Sequence, residues 1–424
     1  MSDLELSLSL LASQSATALM LAFWYTLVFE VPRYLCGFLA LAALSGSAGR
    51  HARRVESRIA RPRITVGVIG HNEADALERC VRSLHEQSIG GLEIVIVSDG
   101  SNDGMARIAQ RLVREGLAAK SFATDLRSGK SAGLNLAIGA ASGDIFVVVD
   151  CDCSYDRFAI EAIVAPFDDP RIGAVAGDIV PRNPTASLVA RFQSIEYLTS
   201  ITVGKRVGDA LRLVDCISGA FGAFRLAALR GVGCFDVGGG EDLDLTMRLR
   251  AAGWSIAFQP EAICYTDVPV RLWGLVRQRL RWERDSVRIR YRKYGRFMNP
   301  WRREFRILEA VHQWDFLLFG VLGAIIFPVY IVWLFQAYGD FALVIVIASQ
   351  LALFGLDALM LLLAAIAAGR PAFWPNLPYL LGYSVFQSYV MRLVRLWAYI
   401  EEWLLFASVN DNYVPLKVRT IRKW

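Results

Sequence analysis

Hydrophobic positions divide the chain into three zones. At the front, Leu6 to Phe29 is apolar for long enough to cross a bilayer, whose core requires about 20 such residues. Glu30-Val31-Pro32-Arg33 interrupts that run, and Tyr34 to Leu44 is short for a second crossing. The pattern predicts one crossing followed by an interfacial segment, with a tight two-helix hairpin as the alternative. The arginines Arg50, Arg53, Arg54, Arg58, Arg61 and Arg63 then place the following region on the cytoplasmic side.

From Arg63 the pattern changes to alternating strands and helices. Ile64–Ile69, Glu93–Ser98 and Ile145–Val149 read as strands; Ala76–Gln87 and Ala106–Glu115 carry helical periodicity. The run Ile145–Val149 is continuously apolar, which suits a strand covered on both faces, as in parallel sheets. The alternation predicts an open, doubly wound, mostly parallel α/β sheet. Ligands of such sheets gather beyond the carboxyl ends of the strands. Asn72-Glu73, Asp99 and Asp150 each follow a predicted strand, so they are expected to share one cleft.

After Val268 the text turns helical, aromatic and basic. Leu272–Lys293 and Trp301–Trp314 read as amphipathic helices lying along a membrane surface. Phe316–Tyr338 and Phe341–Gly369 are long enough to span, and their link, Gly339-Asp340, lacks the Lys and Arg that mark a cytoplasmic loop. Leu377–Met391 is apolar, but Arg392, Arg395, Glu401 and Glu402 follow on the same predicted helix. A central arginine costs about 2.5–3.5 kcal/mol on insertion scales, so these charges are expected to face a channel or the interface. The basic tail from Lys417 to Lys423 prefers the cytoplasm, which conflicts with three simple C-terminal crossings. The zones set the domain limits at 1–49, 62–295 and 296–424.

Composition agrees with a chain lying partly in lipid: 54% of the 424 residues are hydrophobic and 20% charged, against about 45–50% and about 25% in soluble domains. The net charge of +6 does not point to nucleic acid, because many of the basic residues adjoin apolar runs and favour anionic headgroups instead. The seven cysteines lack paired zinc-ligand spacing and read as reduced thiols. Strand alternation turns Cys151 and Cys153 away from the side that Asp150 and Asp152 face.

Five segments carry candidate chemistry. Asp150-Cys151-Asp152 ends a strand, and carboxylates two residues apart on extended backbone can hold a hard divalent cation, Mg²⁺ or Mn²⁺, with positions left for phosphate oxygens. A solvated acidic turn is the plainer reading of that segment alone. Asp99 heads an acidic turn and can accept hydrogen bonds from a pyrimidine base or a ribose, or simply belong to an ordinary βα turn. Ser128-Gly129-Lys130-Ser131 is too short for a Walker loop, yet Lys130 at a helix start can meet a diphosphate. Glu241-Asp242 follows three glycines at a helix start; Asp242 can serve as a general base, or both can cap the helix. Gln278, Arg281 and Trp282 share one helical face, where Arg281 can pair with a departing diphosphate and Trp282 can stack on a sugar ring. An interfacial Trp-Arg rim is the alternative.

Together these segments resemble the membrane-integrated, processive family 2 glycosyltransferases: cellulose, chitin, hyaluronan and poly-N-acetylglucosamine synthases. The family pattern of an aspartate, a DxD, an ED and a QxxRW is met by Asp99, Asp150/Asp152, Glu241-Asp242 and Gln278/Arg281/Trp282. Asn72-Glu73 and Lys130-Ser131-Ala132-Gly133-Leu134-Asn135 also look like family segments near the nucleotide. The resemblance covers roughly residues 62–295. It implies a GT-A-type domain set between N-terminal and C-terminal membrane helices, with Asp99 on uracil, Asp150 and Asp152 on Mg²⁺ or Mn²⁺, and Asp242 as base beside Glu241. Asn72, Glu73, Asp99, Lys130, Asp150, Gln278 and Arg281 would bind the donor, and Trp282 the acceptor. The implied reaction is inverting transfer from a UDP-sugar to a β-linked polysaccharide, coupled to export, in the inner (plasma) membrane. An export or accessory subunit would be a further partner. A nonprocessive transferase acting on a lipid, similar to ceramide glucosyltransferases, is the alternative. Two departures stand out: His71 precedes Asn72 where an aromatic such as Tyr is common, and Glu283-Arg284-Asp285 follows Trp282 where relatives often carry glycine.

Overall fold

The computed structural model describes residues 13–45, 62–236, 238–410 and 415. Positions 6–12 of the first apolar run, the arginines at 50–61 and the basic tail at 417–423 lie outside the described residues. The chain divides into two units: residues 1–47 with 297–401, and residues 48–296 with 402–424.

The second unit is built on one eight-stranded sheet: β1 (Ile64–Gly70), β2 (Glu93–Asp99), β3 (Lys120–Thr124), β4 (Ile145–Asp150), β5 (Ser154–Tyr155), β6 (Ile172–Pro181), β7 (Phe221–Arg225) and β8 (Ser255–Thr266). Their spatial order is β3-β2-β1-β4-β7-β6-β8-β5. The β3-β2-β1-β4 half is parallel, and β7 runs antiparallel to both β4 and β6. The mostly parallel sheet expected from the sequence is therefore present, with an antiparallel seam at β7.

The central strands are buried on both faces. Val66, Val68, Ile94, Ile96, Val147 and Val149 pack into one core, and Ile69, Val95, Val97, Phe146 and Val148 into the other. Helices 74–85 and 105–114 carry Leu77, Val81, Leu84, Met105 and Leu112 into the first core. The register pairs Ile69 with Asp150 and Gly70 with Ser98, which aligns the three strand tips at one edge.

From Glu402 the chain belongs to this same unit. Glu402 is fully buried: its carboxylate accepts bonds from the amide and hydroxyl of Ser408, both 2.9 Å, and pairs with Arg292 at 2.9 Å. The Arg292 guanidinium also lies 4.3 Å from the Phe406 ring.

The other unit is helical. Ile307–Tyr338 and Phe341–Ala368, 32 and 28 residues long, are long and apolar enough to cross a membrane. Two sequence expectations change here. Glu30–Arg33 does not interrupt a helix: a π-helical turn, Thr26–Glu30, leads directly into helix Val31–Ser45. The break comes earlier, at Phe23, where Ala16–Ala22 meets Thr26–Leu39 at 72°. Pro32 lacks an N–H and its ring crowds the preceding turn, and a π turn relieves such crowding. Likewise, the helix expected over Trp301–Trp314 begins only at Ile307. Residues 301–304 are turn and bend, 305–306 are irregular, and the helix from Ile307 runs on through a π segment into the expected span.

Polar groups in this unit are tied to one another. Arg392 pairs with Glu30 and lies over Phe327, 4.5 Å from the ring centre. The Tyr34 hydroxyl donates to Asp357 at 2.6 Å, and Gln350 donates to Ser384 at 2.8 Å. In an apolar surround an unpaired charge is expensive, and these partners offset that cost between the helices.

Candidate active site

Asp150 is the last residue of β4, and its amide donates to Ala220 O at 3.3 Å. The chain then turns, so strand alternation ends at Asp150. As a result Cys153 does not point away from the aspartates. Its thiol donates to Asp152 Oδ1 at 3.4 Å, and one donor atom each from Asp150, Asp152 and Cys153 lies within 4.8 Å of the others. Cys151 is buried. Arg182, which the sequence reading did not single out, braces the turn. Its guanidinium donates to Asp152 O at 3.1 Å and pairs with Asp267 at 2.6 Å.

Lys130 starts helix Lys130–Ala140. Its ammonium pairs with Asp150 Oδ1 and donates to Gly219 O at 3.1 Å. Gly219 in turn donates its amide to Asp242 Oδ2 at 3.2 Å. A Cβ at Gly219 would sit 3.2 Å from Lys130 Nζ and 3.7 Å from both Asp242 Oδ2 and Glu241 Oε1, so a side chain there would crowd the point where the three groups converge. Segments more than ninety residues apart thus meet around one lysine.

Asp242 is oriented by its own helix, Glu241–Ala251. Its Oδ1 accepts from Leu243 N at 2.8 Å, and its carbonyl accepts from the Thr246 hydroxyl at 2.6 Å. Thr246 also accepts from Ile217 N at 3.0 Å, fastening the 217–219 loop beneath the carboxylate. Burial, and then the charge of Asp242, raises the Glu241 carboxyl to about 7. Glu73 is likewise raised to about 7, by burial and then by Asp152 and Asp150. Burial also raises Asp150, against the pull of Lys130. Crowded carboxylates, of which Asp150 and Asp152 bring donor atoms together with the Cys153 thiol, suit a divalent cation.

The 72 and 99 positions are placed at the same edge with their polar atoms engaged. Asp99 is 3% exposed; its carboxylate accepts from Ser128 N and Gly129 N, both at 2.7 Å, and from the Thr124 hydroxyl at 3.3 Å. It therefore holds the loop that delivers Lys130. Asn72, at φ 57°, accepts from Asn102 N at 2.8 Å, which clasps the β1 and β2 loops together.

Gln278, Arg281 and Trp282 lie on helix Leu272–Val287, which continues as a π-helical segment to Lys293. Gln278 Oε1 is buried without a partner among the described residues. Trp282 is 38% exposed and stacks on the guanidinium of Arg279 at 4.2 Å. Arg279, buried, pairs with Glu196 at 2.6 Å. The Arg279–Glu196 support was missed from sequence; the only hint was a second arginine in the motif, one helical turn ahead of Glu283.

A family model described as "Glycosyltransferase like family 2" matches residues 62–284, more than half of the chain. The chain belongs to this family. It is a glycosyltransferase. Among curated relatives, a poly-beta-1,6-N-acetyl-D-glucosamine synthase of Staphylococcus aureus is 31% identical over 249 residues, 58% of this chain and 60% of that protein. One from Staphylococcus epidermidis is 29% identical, covering 53% and 54%. The chain thus spans somewhat over half the length of these relatives. Among solved structures, a mannosyltransferase from Pyrobaculum calidifontis, in complex with GDP-Man and Mn²⁺, superposes with a TM-score of 0.55 at 21% identity, covering 84% of this chain and 99% of that one. The glycosyltransferase fold expected from the motifs is therefore the one observed.

Proposed function

We propose that this family member transfers a sugar, with inversion, from a UDP-sugar to the growing end of a β-linked polysaccharide, and that its own membrane helices carry the product out. The observation that supports this most strongly is the Lys130 junction, where one ammonium joins the DxD carboxylate to Gly219, whose amide in turn holds Asp242. The names of the curated relatives favour N-acetylglucosamine as the sugar to test first.

Asp150 and Asp152, with Glu73 beside them, would hold Mg²⁺ or Mn²⁺, which supplies positive charge to the diphosphate when bound. In the displacement, an acceptor hydroxyl oxygen attacks the anomeric carbon while the bond to the diphosphate oxygen breaks, and UDP leaves. Asp242 takes the hydroxyl proton; its two oxygens are steered by Gly219 N–H and Leu243 N–H. Lys130, Gln278 and Arg281 oppose the charge that develops on the leaving diphosphate. Trp282, held flat by Arg279, gives the terminal sugar an apolar face to stack on. Asn72 and Asp99 support the uracil end, Asp99 through the loop it binds.

The test is a panel of UDP-sugars with Mg²⁺ or Mn²⁺ and detergent-purified protein, reading UDP release and product size. A polymer from one donor, with turnover lowered about 10²–10⁴-fold by Asp242→Asn, is expected. A glycolipid carrying one added sugar, or unchanged UDP release from the variant, would refute the reading.

A further inference from the structure

The Asp285 that breaks the family pattern sits where the two site-bearing helices meet. Its carboxylate fills the space in front of Gly239: a Cβ added there would come within 2.8 Å of Asp285 Oδ1 and closer still to Oδ2. A Cβ at Gly240 would lie 2.6 Å from Ile289 Cδ1 and 3.1 Å from Asp285 Cβ. Gly240, at φ +65°, also needs a backbone conformation that other residues rarely adopt. Arg288 closes the arrangement. Its buried guanidinium donates to Gly239 O at 2.6 Å and to Asp285 Oδ1 at 2.8 Å. Glu241 and Asp242 are the next two residues along the chain.

We propose that Asp285 and Arg288 are positioning residues: they lock the 238–240 glycine loop to the Gln278/Arg281/Trp282 helix and so set the base against the acceptor platform. This rests on the glycosyl-transfer reading above and names the residues that give the base its register. The glycines are the sockets for the lock. Bare space at Gly239 and Gly240 is what admits an aspartate at 285, and a side chain on either side of the contact excludes one on the other.

That reciprocity makes the lock testable in the full-length protein. Gly239→Ala is expected to lower turnover at least tenfold with the donor KM within threefold, because the base is displaced and the donor contacts are not. Adding Asp285→Gly to Gly239→Ala makes room for the methyl group but leaves the lock open, so turnover is expected to stay at least tenfold below wild type, as for Asp285→Ala. It should nonetheless raise the melting temperature above that of Gly239→Ala. Asp285→Asn, which still accepts from Arg288, should stay within threefold of wild type, whereas Asp285→Ala should lose at least tenfold in kcat. The lock is overturned if the double variant melts no higher than Gly239→Ala, or if Asp285→Ala matches wild type. Should Gly239→Ala fail to fold, the Asp285→Asn and Asp285→Ala pair decides by the same kcat criterion. A wild-type protein that consumes no nucleotide sugar would defeat the transfer reading instead, and the melting temperatures of the single and double variants would then judge the lock alone.

Discussion

Replacing Lys130 with Met removes the ammonium shared by Asp150 and Gly219 while keeping most of the side chain's bulk. Breaking a deeply buried ion pair costs about 3–5 kcal/mol, because the surviving charge is left unsolvated. Here the two side chains keep 19% and 29% of their exposure, so about 2 kcal/mol is the more fitting figure. In a unit of this size that corresponds to a fall in Tm of about 4–8 °C. Turnover should suffer more. Losing one donor aimed at developing negative charge costs about 10²–10³ in kcat, and the lysine also fixes Gly219, whose amide orients Asp242. Nucleotide release and differential scanning fluorimetry, run with and without Mn²⁺, measure both effects. A variant whose kcat lies within threefold of wild type and whose melting is unchanged would refute the idea that this ammonium organises the site.

Two other outcomes follow from the site's electrostatics. Glu73 and Glu241, both raised to about 7 from about 4.3 in an unfolded chain, hold protons in the folded state that the unfolded state has released. Their contribution to stability is therefore greatest below about pH 4.3 and is lost as pH rises toward 7. Cation-free protein should melt progressively lower from pH 5 to pH 8, and Mn²⁺ should stabilise it more at pH 8, where it no longer competes with protons; equal Mn²⁺ stabilisation at both pH values would count against the cluster as the cation site. Glu196→Gln leaves the buried Arg279 guanidinium without its counter-charge. Loss of a charge-assisted bond, about 1.5–3 kcal/mol, should lower Tm by about 3–12 °C and raise the acceptor KM, since Trp282 loses its rigid backing; an unchanged acceptor KM would detach Arg279 from the Trp282 platform.

The parallel half of the sheet was legible because Ile145–Val149 and its neighbours are apolar without interruption, and such runs have few alternatives. The strands beyond Asp150 were not. β3 reads Lys-Ser-Phe-Ala-Thr, an edge strand with little hydrophobic signal, and β6 and β8 are interrupted by glycine, aspartate and proline. At the site, the sequence placed Asp150, Asp152, Glu241 and Asp242 at a strand end and a helix start, and the fold brings Asp150, Glu241 and Asp242 together around Lys130 and Gly219. Their supports came from elsewhere in the chain: Glu196 lies 83 residues before Arg279, and Arg182 lies 85 residues before Asp267. No local pattern encodes such pairings. Cys153 falls beside the aspartates because alternation ends with the strand at Asp150, and Glu30–Arg33 forms no break because a π turn accommodates Pro32.

The buried carboxylate of Glu402 bears on how this enzyme can be taken apart. The sheet-bearing body is not a contiguous stretch of text: excising the chain after Arg296 would strand Arg292 opposite an empty socket and expose the ground on which Phe406 and Ser408 rest. A water-soluble version for crystallisation or screening would have to splice residues 402–410 back onto the 62–296 body by a linker, rather than simply discard everything downstream.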